Sequence, residues 1–274
     1  MQILQTRVEI GLNNPVYVLH ASDTHLTRAD MRDGERKVRL AEDRIRGFRQ
    51  AEEVLVKIGE LSKKLKQPIL HTGDLLDFVS VANLEAAKAF TEEHDLFMAA
   101  GNHEFSLYVG EAKEDAAYRN QSLWKVQACF KNDIRMSSRI IDGIKFVALD
   151  NSYYTFEPEQ LEFLKQESKE GLPMVLLFHV PLYDSALYDN EMSHSPCGYL
   201  VGVPEERMRC YTPDRYEQQL PDAVTLETLE YIANEPLIKA ILTGHLHYNY
   251  EGTFAGRIPQ IVTGCEDIRM VEFI

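Results

Sequence analysis

The stretch PILHTGDLLD, residues 68–77, passes directly from a short apolar run into a Gly-Asp turn and a second aspartate. Apolar runs of this length, bounded by turn residues, are typical of buried strands. Two similar stretches flank it, VYVLHASDTH at residues 16–25 and LFMAAGNHE at residues 96–104. We therefore expect three neighbouring strands that each end on polar side chains.

Helical patterns separate these strands. Apolar residues recur every three or four positions over residues 38–65, which predicts one long amphipathic helix, and residues 82–93 predict another. Alternating strands and helices favour parallel strands, whose carboxyl ends meet at the edge where open α/β sheets bind ligands. The polar ends of the three strands should converge at that edge.

The second half of the chain continues the pattern with more strands. Residues 139–147 predict a hairpin with an Asp-Gly turn, and residues 157–169 predict a helix. Apolar runs at 174–178 and 238–242 end at a histidine and at Gly-His-Leu-His, and residues 248–274 alternate like antiparallel strands. This mixture fits an α/β fold with two packed sheets and outer helices better than one open sheet.

The polar residues at these strand ends are all metal-ligand types. The seven candidate ligands are Asp23, His25, Asp74, Asn102, His179, His245 and His247. Each short motif alone is weak evidence, because such residues also occur in turns, surface pairs and satisfied cores. Five motifs together, each at the end of a strand, predict one site that binds two metal ions through oxygen and imidazole donors.

The ordered motifs D-x-H, G-D-x-x-D, G-N-H-E, a single histidine and G-H-x-H resemble those of the calcineurin-like metallophosphoesterase superfamily. The resemblance implies a four-layer αββα sandwich and hydrolysis of a phosphoester by a metal-bridging hydroxide. It implies that one metal ion is held by Asp23, His25, Asp74 and His247. It implies that the other is held by Asp74, Asn102, His179 and His245, with Asp74 bridging the two.

Two further residues receive catalytic roles from the same resemblance. His103 would stabilise a phosphoryl oxygen or protonate the leaving group, and Asp77 would orient His103 and keep it protonated. The alternative for Asp77 is a residue at the start of a helix. Purple acid phosphatases place Tyr at position 77, and Ser/Thr phosphatases place Arg-Gly at Phe78-Val79, so neither subgroup fits.

Composition narrows the substrate class. The 274 residues are 45% hydrophobic, and we expect them to form one domain, 1–274. The net charge of −14 disfavours binding to nucleic acid, because such binding normally needs a basic surface. Residues 28–49 include eight basic and five acidic residues. This composition predicts a solvated helix face, with a patch that steers substrate as the alternative. We expect a small phosphorylated substrate such as a nucleotide, with a nuclease or a non-catalytic scaffold as the alternatives.

The cellular setting and the metals follow from residue types. Four widely spaced cysteines, no pattern of a leader peptide and no long apolar run favour a cytoplasmic protein without a membrane partner.

Imidazole and carboxylate ligands accept two divalent or trivalent ions, with Mn, Fe, Zn or Co as candidates.

The long segment between the fourth and fifth motifs, residues 183–222, is expected to form a cap beside the metals. Five of the 13 tyrosines fall within residues 183–216, which also hold Arg207, Arg209 and Arg215. These side chains could stack on a ring and bind a second phosphate. The alternative is a loop whose aromatic residues form a small satellite core.

Overall fold

A computed structural model describes residues 2–111 and 113–274 of the chain. Within these residues the chain forms eleven strands in two sheets. The strands are β1 (Ile3–Val8), β2 (Val16–Ala21), β3 (Ile69–His71), β4 (Leu96–Met98), β5 (Met136–Ile141), β6 (Ile144–Leu149), β7 (Met174–Leu177), β8 (Ile238–Thr243), β9 (Tyr250–Phe254), β10 (Ile258–Val262) and β11 (Ile268–Phe273). The α-helices are α1 (Glu35–Arg44), α2 (Ala51–Leu65), α3 (Val81–Glu93), α4 (Ala116–Asn120), α5 (Leu123–Gln127), α6 (Pro158–Ser168), α7 (Ser185–Met192), α8 (Pro213–Gln219) and α9 (Ala223–Asn234).

The two sheets have the orders β1-β11-β2-β3-β4 and β5-β6-β7-β8-β10-β9. β2, β3 and β4 run parallel in the first sheet, and β6, β7 and β8 run parallel in the second. Each parallel set ends at one edge of its sheet. The expected convergence of strand ends is thus built into the topology.

The core lies between the sheets. Val18 and Leu70 of the first sheet meet Phe146, Val175 and Leu242 of the second, and all are fully buried. Alternate residues of the same strands face outward, where α2, α3 and α5 cover the first sheet and α6 and α9 cover the second. The expected two-sheet sandwich flanked by helices is confirmed.

One expected helix is wrong. The pattern over residues 38–65 is divided between α1 and α2, and residues 45–50 connect them without continuing either helix. Ile45, which the periodicity assigned to the buried face, is 50% exposed. Gly47 lies in this break, where its high conformational entropy disfavours a helix.

The carboxyl-terminal strands are divided between the sheets. β9 and β10 form the expected antiparallel pair, and the hairpin of β5 and β6 turns at the expected Asp142-Gly143. β11 instead joins the first sheet, antiparallel to β2 and parallel to β1, a strand that the sequence pattern did not predict. Of the helices in the described residues, none has both the length and the apolar composition needed to cross a bilayer.

Candidate metal centre

The seven predicted ligands lie in loops at the carboxyl ends of five strands. Asp23 and His25 follow β2, Asp74 follows β3, Asn102 follows β4, His179 follows β7, and His245 and His247 follow β8. Three of these strands belong to the first sheet and two to the second. The loops of both sheets meet at one place, where Asp74 of the first sheet contacts His179 of the second.

Asp74 lies at the contact between the two sheets' loops. Its Oδ2 is 3.1 Å from Nε2 of His179 and 3.6 Å from Nε2 of His25. The same nitrogen of His179 is 3.1 Å from Nδ1 of His245. On the neighbouring side, Nε2 of His247 is 3.1 Å from Nε2 of His25. Asp74 therefore contacts both predicted ligand groups.

Ligand atoms cluster in overlapping sets of three. The sets whose atoms lie within 4.8 Å of one another are Asp23 with His25 and His247, Asp23 with Asp74 and His179, and His25 with Asp74 and His103. All six side chains in these sets are buried except His103 and His247. The third set brings in His103, which the sequence motifs did not assign to metal.

Two of the predicted ligands carry an oxygen with no hydrogen-bond partner in the described residues. These buried atoms are Oδ1 of Asp23 and Oδ1 of Asn102. The rest of each side chain is fixed, because Oδ2 of Asp23 accepts from the backbone N–H of His245 at 2.8 Å and Nδ2 of Asn102 donates to Glu114 at 3.3 Å. A buried unpaired oxygen costs about 1–3 kcal/mol, which a bound cation would offset. The nitrogen and oxygen donors therefore fit divalent metal ions.

The ligand loops hold an uncommon backbone conformation. Positive φ angles occur at Asp23 (54°), His25 (49°), Asp74 (56°), His245 (69°) and His247 (59°). Such a φ costs a residue other than glycine about 1–3 kcal/mol and persists only where the surrounding structure imposes it, most often at functional sites. The strain is concentrated on five of the seven predicted ligands.

Two glycines allow the loops to pack this closely. A Cβ at Gly101 would lie 2.3 Å from Oδ1 of Asp74, and a Cβ at Gly244 would lie 2.2 Å from Oδ2 of Asp23. Real Cβ atoms are not found at such distances, so any side chain at either position would displace a ligand carboxylate. The glycines of the G-N-H and G-H-x-H motifs thus have a steric reason in this chain.

His103 lies beside the ligand cluster and opens onto it. Its backbone N–H donates to Oδ1 of Asp74 at 2.8 Å, and its Nδ1 is 2.7 Å from the carbonyl oxygen of Asp77 and 3.2 Å from the carboxylate of Asp77. Burial lowers the pKa of His103, but the carboxylates of Asp74 and Asp77 raise it more, to about 9. The two carboxylates therefore favour the protonated form of His103.

The Asp77 carboxylate is fully buried and contacts more than His103. Nδ1 of His25 lies 3.0 Å from Oδ1 of Asp77, and the guanidinium of Arg44 donates to both carboxylate oxygens at 2.7 Å. Burial acts to raise the pKa of Asp77, but Arg44, His103 and His25 hold it well below its usual range. α3 begins only at Val81, so the alternative of a helix-start residue is wrong.

Sequence patterns missed two residues where α1 ends: Arg44, the last residue of the helix, and Phe48, in the break that follows. The ring of Phe48 stacks on His25 with centroids 4.0 Å apart and planes at 17°, and it meets the His247 ring edge-on at 5.7 Å. Arg44 contacts Asp77 and lies 5.0 Å from the centre of the Phe48 ring. Gly47, within the expected helix, was the available signal for a turn here.

Two other neighbours of the ligands were also missed. Glu104, which is fully buried, accepts hydrogen bonds from the backbone N–H groups of Asp74, Leu76 and Gly101 at 2.7–3.0 Å and so joins the loops after β3 and β4. The hydroxyl of Tyr154 lies 2.8 Å from Nε2 of His245. Tyr154 follows β6, whose carboxyl end reaches the same edge as β7, and this parallel pairing was the missing clue.

A cavity of about 350 Å³ opens beside the predicted ligands. Its lining includes Asp74, His103, His245, Tyr199 and Arg215, so the site is connected to the segment 183–222. The Arg215 guanidinium lies 5.3 Å from the centre of the Tyr199 ring. The cavity is thus lined both by predicted ligands and by a cation with an aromatic ring.

Other aromatic residues of segment 183–222 form a separate small core. Tyr188 and Tyr211 are buried there with Leu187 and Met208. Arg207 covers the Tyr188 ring at 4.3 Å and pairs with Asp189. Tyr188 and Tyr211 therefore pack internally, as the satellite-core alternative expects, while Tyr199 lines the cavity.

The basic residues between positions 28 and 49 are largely paired with acidic side chains. The pairs are Arg28 with Glu52, Arg32 with Asp30 and Glu85, Arg36 with Glu111, Arg39 with Glu35, Arg44 with Asp77, and Arg46 with Asp43. Six of the eight basic residues thus have a carboxylate partner, which favours a solvated face over a phosphate-binding groove.

Similar architectures occur among solved structures. They include a dimetal phosphatase from Danio rerio, with 12% identity over 91% of this chain and 87% of that chain and a TM-score of 0.49. A putative 5′-nucleotidase from Staphylococcus aureus has 15% identity over 94% of this chain and a TM-score of 0.47, and this chain spans about half of it, 51%. Phosphopantetheinyl hydrolase from Mycobacterium tuberculosis has 10% identity over 95% of this chain and 90% of that chain, with a TM-score of 0.44.

No match to a curated protein is found by sequence. The sequence profile of the calcineurin-like phosphoesterase family, in contrast, matches residues 16–249. The match includes all five motifs and most of both sheets. The chain therefore belongs to the calcineurin-like phosphoesterase family.

Proposed function

We propose that this chain is a metal-dependent phosphoesterase that hydrolyses a small phosphate mono- or diester. The observation that carries the proposal is the convergence of seven oxygen and nitrogen donors from five loops, two of them with buried oxygens that lack a hydrogen-bond partner. A non-catalytic scaffold of the same fold would not need to retain every ligand position. The family match supports the class of reaction.

The ligands would hold two ions, with Asp74 belonging to both ligand sets. One ion would be held by Asp23, His25, Asp74 and His247, and the other by Asp74, Asn102, His179 and His245. The position of Asp74, within 3.6 Å of both His25 and His179, supports its shared role. When bound, the ions supply Lewis acidity, which neutralises phosphoryl charge and lowers the pKa of the attacking water.

His103 would act on the substrate and Asp77 would act through His103. The His103 side chain is 16% exposed and lines the cavity, so a phosphoryl or leaving-group oxygen can reach its ring. Nδ1 faces Asp77, which leaves Nε2 to donate to that oxygen. Asp77 fixes the ring orientation and favours the protonated form, as general acid catalysis requires.

The segment 183–222 would form a cap that selects the substrate. Arg215 and Tyr199 supply a cation and a ring at the cavity wall, which suits a substrate with a planar group or a second anionic group, such as a nucleotide. A nucleic-acid polymer is disfavoured, because basic residues of the stretch 28–49 pair with carboxylates from other parts of the chain, Glu52, Glu85 and Glu111.

A hydrolysis screen tests the reaction class. Metal-reconstituted protein is assayed against p-nitrophenyl phosphate, bis-p-nitrophenyl phosphate, cyclic nucleotides and single-stranded DNA. We expect turnover of at least one small ester that disappears with a chelator, and little cleavage of DNA. Cleavage of DNA in preference to every small ester would support the nuclease alternative, and no hydrolysis with any metal would refute the enzyme.

A matched pair of variants tests the cap. Arg215→Ala should raise KM for a nucleotide substrate while sparing p-nitrophenyl esters, because the small esters lack the group that Arg215 would bind. Arg207→Ala is the control, since Arg207 packs on Tyr188 and pairs with Asp189. Equal losses on both substrates, or equal effects of the two variants, would make the segment structural.

A further inference from the structure

The Asp77 carboxylate connects two side chains with different proposed roles. Its Oδ1 lies 3.0 Å from Nδ1 of His25, a proposed metal ligand, and 3.2 Å from Nδ1 of His103, which would act on the substrate. A rotation of this one carboxylate would therefore change the orientation of both imidazoles. A residue that fixes the position of Asp77 therefore fixes the orientation of both His25 and His103.

Arg44 fixes both the position and the rotation of the Asp77 carboxylate. Nε of Arg44 donates to one carboxylate oxygen and Nη2 to the other, each at 2.7 Å. Two parallel hydrogen bonds from a rigid guanidinium define both the position and the rotation of a carboxylate, which a single donor cannot do. The Asp77 side chain is fully buried while that of Arg44 is 30% exposed, so Arg44 lies between Asp77 and solvent.

Phe48, four residues further along, holds the ring face of His25. The two rings are nearly parallel at 4.0 Å, and Phe48 also contacts the edge of His247. His25 is thus constrained at Nδ1 by Asp77 and across its face by Phe48, which leaves Nε2 directed toward Asp74, Asp23 and His247. Phe48 lies in the break between α1 and α2, and Arg44, which holds Asp77, is the last residue of α1.

These two residues belong to neither proposed ligand set. The described residues that line the cavity include His103 and His247 but neither Arg44 nor Phe48. They therefore touch the groups that would hold metal or substrate without meeting the substrate themselves. This separates them from Arg215, which lines the cavity directly.

We infer that Arg44 and Phe48 are positioning residues that lock His25 and, through Asp77, His103 in their working orientations. The part that concerns His103 rests on the proposed function, whereas the part that concerns His25 needs only that the site binds metal. From the break in the expected long helix Phe48 reaches the face of His25, while Arg44, the last residue of α1, reaches Asp77.

The test compares variants of Arg44 and Phe48 with control variants of neighbouring exposed residues. Arg44→Ala and Arg44→Lys are paired with the control Arg46→Ala, and Phe48→Ala and Phe48→Leu with the control Ile45→Ala. Arg46 has a 74% exposed side chain and contacts Asp43, and Ile45 is 50% exposed. For each protein we would measure Mn²⁺ affinity by calorimetry on chelator-treated protein, kcat and KM for a p-nitrophenyl ester at saturating Mn²⁺, and Tm.

Arg44→Ala should lower both Mn²⁺ affinity and kcat by about 10- to 100-fold with KM nearly unchanged, as is typical for groups that orient metal ligands. Arg44→Lys should recover part of the loss, since it restores the charge but not the paired hydrogen bonds. Phe48→Ala should weaken Mn²⁺ affinity more than it lowers kcat at saturating metal, because Phe48 contacts His25 and not His103. Phe48→Leu should lie between Phe48→Ala and the wild type.

Several outcomes decide the inference. It is overturned if Arg44→Ala matches Arg46→Ala in both Mn²⁺ affinity and kcat, or if only Tm falls. Should Arg44→Ala fail to fold, Arg44→Lys decides: a several-fold loss of Mn²⁺ affinity supports positioning, and wild-type affinity contradicts it. If the wild type binds Mn²⁺ but hydrolyses no ester, the proposed function fails, and the affinities still test the role of Arg44 toward His25.

Discussion

Several side chains of the loop edge are as deeply buried as those of the core between the sheets, but the two regions are built from opposite chemistry. Val18, Leu70 and Phe146 in the core are 0% exposed, and so are His25 and His179 at the edge. Each large apolar side chain in the core contributes about 1.5–3 kcal/mol to folding. At the edge, burial instead removes carboxylates and imidazoles from water, which costs free energy unless they are paired.

The backbone repeats this contrast. Five predicted ligands at the edge have positive φ angles, each at a cost of about 1–3 kcal/mol, whereas the core strands have regular pairing. The buried Oδ1 atoms of Asp23 and Asn102, which accept no hydrogen bond from the described residues, add to this free-energy cost. The core therefore stabilises the fold, whereas the conformation of the edge lowers the free energy of unfolding. Such a cost is expected where side chains are arranged to bind ions.

The largest effect should come from the edge. His103→Ala should lower kcat by about two to four orders of magnitude, the usual contribution of a positioned acid, while the bound metal stays close to wild type. Rates and metal content measured on the same samples provide the check. If metal is lost in parallel with activity, His103 is a ligand, as its place in the cluster with His25 and Asp74 would allow.

In the core, the corresponding effect should be on stability alone. Phe146→Ala should lower the free energy of unfolding by about 3–5 kcal/mol, because it leaves a cavity between the sheets. Urea denaturation of the metal-free protein measures this loss, and kcat of the folded variant should stay within about twofold of wild type. A large fall in kcat at low temperature would show that core and edge are not separable.

A smaller effect tests the link between Asp77 and His103. Asp77→Asn should lower kcat at saturating metal by about 10-fold, and the double variant with His103→Ala should be little worse than His103→Ala alone. Steady-state kinetics of the four proteins form the cycle. Fully additive losses would place the role of Asp77 elsewhere, with His25 as the first candidate.

The smallest change in stability is expected for a ligand. Asp23→Asn keeps the side-chain shape but removes a buried charge that lies 3.4 Å from Nε2 of His247 and 3.8 Å from Nε2 of His179, so the metal-free protein should lose less stability than it loses with Phe146→Ala. Added Mn²⁺ should raise the Tm of the wild type and not of this variant. A loss as large as that of Phe146→Ala would mean that the edge also stabilises the fold.

The sequence predicted the edge better than its surroundings. Ligand motifs could be located because each follows an apolar run, and parallel strands bring their carboxyl ends together. Arg44, Phe48 and Tyr154 could not, because their contacts depend on how distant segments pack. The periodicity near Phe48 fitted a helix, yet Phe48 stacks on His25 from a turn.

Strand pairing set a second limit. β1 carries no strong alternating pattern, and its partner β11 lies at the other end of the chain. Local propensity contains little information about such long-range pairing. The assignment of β11 to the first sheet therefore emerges only from the packed structure.

The most direct test of a metal-dependent hydrolytic site is a titration of metal-free protein with Mn²⁺ in which bound metal and hydrolysis of a p-nitrophenyl ester are followed together. We expect two ions per chain at saturation, with activity appearing as the second ion binds and lost on addition of chelator. Saturation at one ion or fewer per chain, or hydrolysis that persists in chelator, would contradict a dinuclear site formed by these five loops.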